Sequence, residues 1–187
     1  MAKVLIVDDT PANLRLLSRM LSDRDYSVFA ANSGEVALQF LETTVPDIIL
    51  LDVNMPKLDG YEVCQRIKAS ERTRNVPVIF VSAMDSTWDK VKAFAVGGVD
   101  YIVKPIEEAE VLARLETHLN LYMLRQQLEQ RVDARTSEVL RAKAELFTNQ
   151  ILLKSIIDSS TAIIYAKDLD GYYILVNKQF QELFGDT

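Results

Sequence analysis

Five short apolar runs, each followed by a segment with apolar residues three and four apart, constrain this chain more than any other feature. The runs are KVLIV (3–7), SVFAA (27–31), DIILL (47–51), PVIFV (77–81) and DYIV (100–103). Their β-branched and aromatic content suits strands, whereas 11–22, 34–42, 60–70 and 87–97 carry helical spacing. The first, third and fourth runs are nearly all apolar, as parallel strands covered on both faces require. The alternation predicts an α/β fold built on an open, doubly wound, five-stranded parallel sheet, with the first strand between the second and third. A fifth helix begins near Glu107, just after Pro105.

In such a sheet, functional groups gather at the carboxyl ends of the strands. Asp8 and Asp9 follow the first strand, Asp52 the third, Ser82 the fourth and Lys104 the fifth. Three carboxylates in one shallow crevice repel, and desolvation raises the pKa of at least one of them. A divalent cation removes the conflict, and oxygen ligands without nearby His or Cys predict Mg²⁺. With Mg²⁺ and Lys104 neutralising charge, a carboxylate can attack a phosphoryl group and form an acyl phosphate. Asp52 is the expected nucleophile, because it alone stands at the tip of a central buried strand. Any one of these aspartates, taken singly, reads as an ordinary turn residue after a strand. Five suitable side chains at the right strand ends weigh against that reading.

LIVDD (5–9), DVNMPKLDGYE (52–62), VSA (81–83) and YIVKP (101–105) together resemble the receiver domain of two-component response regulators, over about residues 1–120. The resemblance implies a flavodoxin-like strand order 2-1-3-4-5. It implies that Asp52 accepts a phosphoryl group from a histidine kinase or phosphotransfer protein. Asp9, Asp52 and the backbone carbonyl of Asn54 would then bind Mg²⁺, with Asp8 helping through water. Lys104 would contact the phosphoryl oxygens, and its bond to Pro105 would be cis. Ser82 would move to hydrogen-bond the phosphoryl group, and Tyr101 would turn inward behind it as the switch aromatic. Gly98 and Val99 depart from the family's usual Ala and acidic or Asn residues. The change bears on the face of the fourth helix and fifth strand and leaves the chemistry intact.

From Ile106 to Asp170 there is neither glycine nor proline, which marks a change of organisation. Leu121, Leu124, Leu128, Val132, Arg135, Val139, Ala142, Leu146, Gln150, Leu153 and Ile157 advance in steps of three and four. Consecutive four-residue steps are stutters, which locally unwind a coiled coil. A helix from 107 to 157 would be about 75 Å long at ~1.5 Å per residue. So narrow a stripe needs a partner helix, and a parallel homodimer is the simplest. A helix folding back on its own domain is the alternative. Residues 147–187 suggest a hairpin (AIIYAKD, LDG, YYILVN) and a short helix. They resemble the beginning of an α+β PAS domain, with Asp168, Gly171, Asn177, Phe180 and Gly185 in place and the ligand-facing strands absent, so no PAS cofactor is expected. The expected organisation is a receiver over 1–120, a coiled-coil signalling helix over 121–146 and a partial PAS segment over 147–187. The chain is expected to be cut inside that last domain.

The net charge of −6 gives no electrostatic support for nucleic-acid contact. One cysteine, Cys64, excludes an intrachain disulfide. No apolar stretch approaches the roughly 20 residues that span a bilayer, and the N-terminus lacks a signal-peptide pattern. A cytoplasmic protein is expected. His118 reads as a surface helix position, Cys64 as a packed thiol, Trp88 as partly exposed and Gly97–Gly98 as a helix end. The expected function is a receiver whose phosphorylation passes through a dimeric helix to a downstream PAS or effector module. The alternatives are a constitutive dimerisation scaffold, or the regulatory front of a truncated diguanylate cyclase or hybrid histidine kinase. A flavin-binding flavodoxin-like domain fits the fold, but DDTPAN stands where its phosphate loop would be.

Overall fold

A computed structural model describes residues 1–83 and 87–185, with Thr87 described in its backbone only. Each apolar run forms a strand and each segment of helical spacing a helix. In chain order these are β1 (Lys3–Val7), α1 (Pro11–Ser22), β2 (Ser27–Ala31), α2 (Gly34–Thr43), β3 (Ile48–Asp52), α3 (Gly60–Ala69), β4 (Val78–Ser82), α4 (Thr87–Ala95), β5 (Asp100–Val103) and α5 (Glu108–Asp158). A hairpin of β6 (Tyr165–Lys167) and β7 (Tyr173–Val176) and a short α6 (Lys178–Phe184) follow. The chain divides into two compact units, Met1–Gln127 and Leu128–Thr187.

In the first unit the sheet order is β2-β1-β3-β4-β5 and every pairing is parallel. All residues of β3 and β4 are buried. Alternate side chains feed two cores, because successive residues of a strand point to opposite faces. Leu5, Ile49, Leu51 and Phe80 pack with Val63, Cys64 and Ile67 of α3 on one face. Val4, Ile6, Leu50 and Ile79 pack with Leu17 and Leu21 of α1 and with Val111, Leu115 and Leu119 of α5 on the other. β3 and β4 each start and end one residue later than the apolar pattern suggests. The ladder continues through Asp52, paired with Val81, and Ser82, paired with Val103.

Local chemistry sets the helix starts. Pro11 occupies the first position of α1, where its missing N–H costs nothing. Ser33 and Asp59 cap α2 and α3 by accepting the amides of Val36 and Glu62. Gly60 opens α3 directly beneath the end of β3. A Cβ there would overlap the backbone carbonyl of Asp52 and come within 2.9 Å of the Val53 Cα. Gly97, with φ of 99°, ends α4 in a conformation that glycine adopts without strain. Cys64 is fully buried, its Sγ 3.5 Å from the Val96 carbonyl, and burial pushes its thiol up to about 11. Trp88, expected to be partly exposed, is 82% exposed.

α5 buries Val111, Leu112, Leu115 and Leu119 in its first turns and no further residue after them. The sequence-derived boundaries at 120/121 and 146/147 both fall inside this one helix. Beyond Leu119, the helix residues Leu121, Leu124, Leu128, Val132, Val139, Leu146 and Leu153 are all exposed. Among the described residues no helix is long and apolar enough to cross a membrane.

In the second unit the antiparallel hairpin turns at Gly171, whose φ is 91°. The Asp168 carboxylate accepts the amides of Asp170 and Tyr172 there. Asn177 is the organising residue. Its side-chain oxygen accepts the amides of Ile164 and Phe180, and its amide donates to the Ala162 and Ile157 carbonyls. Tyr165, Tyr173, Phe180 and Phe184 pack on one another at tilted and edge-on angles.

Candidate functional site

Parallel register brings the strand ends into one row. Val7 pairs with Leu51, Asp52 with Val81 and Ser82 with Val103, so the residues just beyond share an edge. Asp8, Asp52 and Ser82 are buried, whereas Asp9 is exposed. Carboxylate oxygens of Asp8, Asp9 and Asp52 all lie within 4.8 Å of one another. Lys104 reaches across from the end of β5, with Nζ 3.0 Å from Asp8 Oδ2 and 3.1 Å from Asp52 Oδ2. The Lys104–Pro105 peptide is cis.

The electrostatics of the row are unequal. Burial pushes the Asp52 carboxyl above the usual range, and the negative charge of Asp8 adds to this. Lys104 and the Asn54 amide, 3.4 Å from Oδ1, only partly offset the two. For Lys104, burial disfavours the charge, but the hydrogen bonds and charges of Asp8 and Asp52 outweigh it and raise its pKa. The lysine therefore stays charged, while its surroundings disfavour the anionic form of Asp52. That combination suits a group that gains from losing its bare charge.

Each residue expected at the site from the sequence has a place. Asp8, Asp9, Asp52 and Lys104 meet directly. Ser82 ends the neighbouring strand β4, and Asn54 follows Asp52 on the exposed loop. Tyr101 is buried against the same core as Phe80, its partner in the β4–β5 ladder. Two groups went unnoticed in the sequence. Asn13, in the first turn of α1, donates its side-chain amide to both oxygens of Asp8 at 3.0 and 2.9 Å. An amide side chain one helical turn after the acid pair was its only signal. At the other end of β5, Asp100 accepts Arg114 Nη1 at 2.7 Å, with His118 Nε2 at 3.0 Å. His118, expected on the surface, is instead largely covered, because β5 presents a carboxylate to that turn of α5. Burial pushes Asp100 up, but Arg114, the Tyr101 amide and His118 together hold its carboxyl below the usual range.

The donor set tests the expected metal. Three carboxylates with no His or Cys ligand among the described residues form a hard, oxygen-only set, which fits Mg²⁺ and not a softer ion.

Comparison with known proteins agrees with this geometry. Residues 4–116 match the sequence profile of the response regulator receiver domain. The chain is 38% identical to the response regulator PleD of Caulobacter vibrioides over 130 residues, 70% of this chain and 29% of PleD. It is also 38% identical to a probable cyclic di-GMP phosphodiesterase of Vibrio cholerae over 143 residues, 76% of this chain and 32% of that protein. The chain thus spans about three tenths of the length of these curated relatives. Among solved structures, it is similar to the receiver domain of a Pseudomonas aeruginosa sensor histidine kinase, which holds a magnesium ion in its active site cleft. The TM-score is 0.60 at 32% identity, covering 64% of this chain and 98% of that one.

Proposed function

Because the chain belongs to the response regulator receiver domain family, we propose that Asp52 accepts a phosphoryl group from the phosphohistidine of a histidine kinase or phosphotransfer protein. The observation that carries this is the position of Asp52: buried at the tip of a central strand, 3.1 Å from the Lys104 ammonium and inside the carboxylate cluster. A carboxylate oxygen of Asp52 attacks phosphorus. The P–O bond forms as the P–N bond breaks, and the electron pair returns to the histidine nitrogen. Asp9, Asp52 and the Asn54 carbonyl would hold Mg²⁺, with Asp8 acting through water, and the ion would supply positive charge to the phosphoryl oxygens. Lys104 supplies the remaining cation, and moves from the Asp52 carboxylate to the phosphoryl oxygens as they arrive. Ser82 donates to the phosphoryl group, and the buried ring of Tyr101 serves as the aromatic switch behind it.

The same reading assigns α5 a second role. Its exposed apolar seam is buried by a second copy in a parallel homodimer, and the stutters let register change at low cost. The domains are then a receiver over 1–120, a signalling helix over 121–146 and the beginning of a PAS domain over 147–187. The hairpin and capped α6 support the last of these. The switch passes from α4, β5 and α5 into that helix, toward a PAS or effector module such as a diguanylate cyclase or hybrid histidine kinase. An acidic chain of this kind works in the cytoplasm without direct nucleic-acid contact. The exposed seam also favours a second reading, a constitutive dimerisation scaffold.

Intact-protein mass spectrometry after incubation with acetyl phosphate, with and without Mg²⁺, separates the two. We expect a Mg²⁺-dependent gain of a phosphoryl group that Asp52→Ala loses completely, with oligomeric mass recorded in parallel. No incorporation while Mg²⁺ is bound would overturn the receiver chemistry and leave the scaffold.

A further inference from the structure

We propose that Asn13 is a positioning residue for this site, and that by fixing Asp8 it sets the preference for Mg²⁺ over larger cations. The inference deepens the magnesium-dependent reading above and rests on it.

The three carboxylates of the crevice are held very unequally. Asp8 Oδ1 accepts the Thr10 amide at 2.8 Å and the Asn13 amide at 3.0 Å. Its Oδ2 accepts Asn13 at 2.9 Å and Lys104 at 3.0 Å. Each oxygen of Asp8 thus already has two protein donors, about as many as its lone pairs accommodate. Among the described residues, Asp9 accepts only the Thr10 hydroxyl, at 3.3 Å, and it is exposed. Asp52 shares Lys104 and has a long 3.4 Å contact from the Asn54 amide. Asp9 and Asp52 can turn lone pairs toward a cation without breaking a short bond, but Asp8 cannot.

Of the donors to Asp8, the Thr10 amide is fixed by the backbone at the start of α1, and Lys104 is shared with Asp52. Among the described residues, Asn13 alone touches both oxygens with a side chain, so it decides whether Asp8 can rotate. Mg²⁺ is small, keeps several waters and takes one or two carboxylates directly. Ca²⁺ accepts more oxygen ligands, bidentate carboxylates included. Releasing Asp8 would offer a third direct carboxylate, which favours the larger ion. A hydrogen-bond partner behind a ligand also orients it, so its loss weakens the intended metal. Sequence patterns of strand ends cannot show this, because Asn13 lies on a helix and acts through Asp8.

The test is calorimetric titration of the whole chain with MgCl₂ and with CaCl₂, on wild type, Asn13→Ala and Asn13→Ser. Mg²⁺ affinity should fall about tenfold in Asn13→Ala while Ca²⁺ affinity holds or rises, so the ratio of the two shifts toward Ca²⁺. Asn13→Ser, which keeps one donor, should fall between. Loss of donors to the buried Asp8 carboxylate should lower the thermal unfolding temperature in EDTA modestly, and less so in Asn13→Ser. Equal changes for both ions, no change for either, or a loss of thermal stability with an unchanged ratio would overturn the proposal. Failure of the wild type to bind Mg²⁺ would remove the magnesium reading itself, and this inference with it.

Discussion

The units Met1–Gln127 and Leu128–Thr187 treat their apolar residues in opposite ways. The first buries them on both faces of a sheet, and the second buries Phe180 alone while Val132, Val139, Leu146, Phe147, Ile151 and Leu152 stand exposed. Full burial of one such side chain contributes roughly 1.5–3 kcal/mol, which the second unit largely forgoes within a single chain. The first unit can therefore support a costly cluster of carboxylates at its strand ends, because the sheet behind them is packed on both faces. In the second unit, Asn177 and its hydrogen bonds tie the end of α5, the segment before β6 and the start of α6 together. A site backed by a closed core and a surface of exposed apolar side chains thus occur in one polypeptide.

Three substitutions test how separate these two regimes are. The largest effect should come from Gly60→Ala, whose Cβ would overlap the Asp52 carbonyl. We expect a loss of about 3 kcal/mol in urea unfolding, the size of a severe overpacking. Hydrogen exchange in the hairpin should not change, and a loss there would show that the units fold together. Next, Asn177→Ala leaves the buried Phe180 amide and the partly buried Ile164 amide without this acceptor and should cost about 2 kcal/mol locally. Faster exchange should be confined to residues 160–184, and an effect on β1–β5 would contradict the division. The smallest is Asp100→Asn, which weakens a partly exposed network and should cost about 1 kcal/mol near neutral pH. Because the folded carboxyl lies below its ordinary value of 3.8, its contribution is full above that value and disappears as pH falls through the lower folded one. The wild type and Asp100→Asn should therefore converge in acid, and a gap persisting there would exclude the charge as its cause.

The order of elements was readable in advance because fully apolar strands and periodic helices leave little ambiguity in β1, β3 and β4. Strand ends were one residue off at Asp52 and Ser82, since an apolar pattern stops at a polar residue while backbone pairing need not. The acid cluster was legible because its members occupy equivalent places in the chain, each at a strand's carboxyl end. Asn13 and the Asp100–Arg114–His118 network were not. Both are contacts between a strand end and the face of a helix, fixed by packing and not by spacing along the chain. His118 illustrates the difference: its helix position is half-exposed by periodicity, but a carboxylate on β5 covers it.

Cys64 gives the chain an internal clock. It is the single thiol, lies in the core of the first unit, and ionises only near pH 11 while folded. An unfolded chain would ionise it near the ordinary value of 9.0, and between these limits a reagent reaches the fully buried thiol only in opened molecules. An alkylating reagent added in that window counts opening events one molecule at a time, against a background in which the closed form stays silent. Because no other cysteine competes, the rate of mass gain reads directly how often the sheet and α3 part.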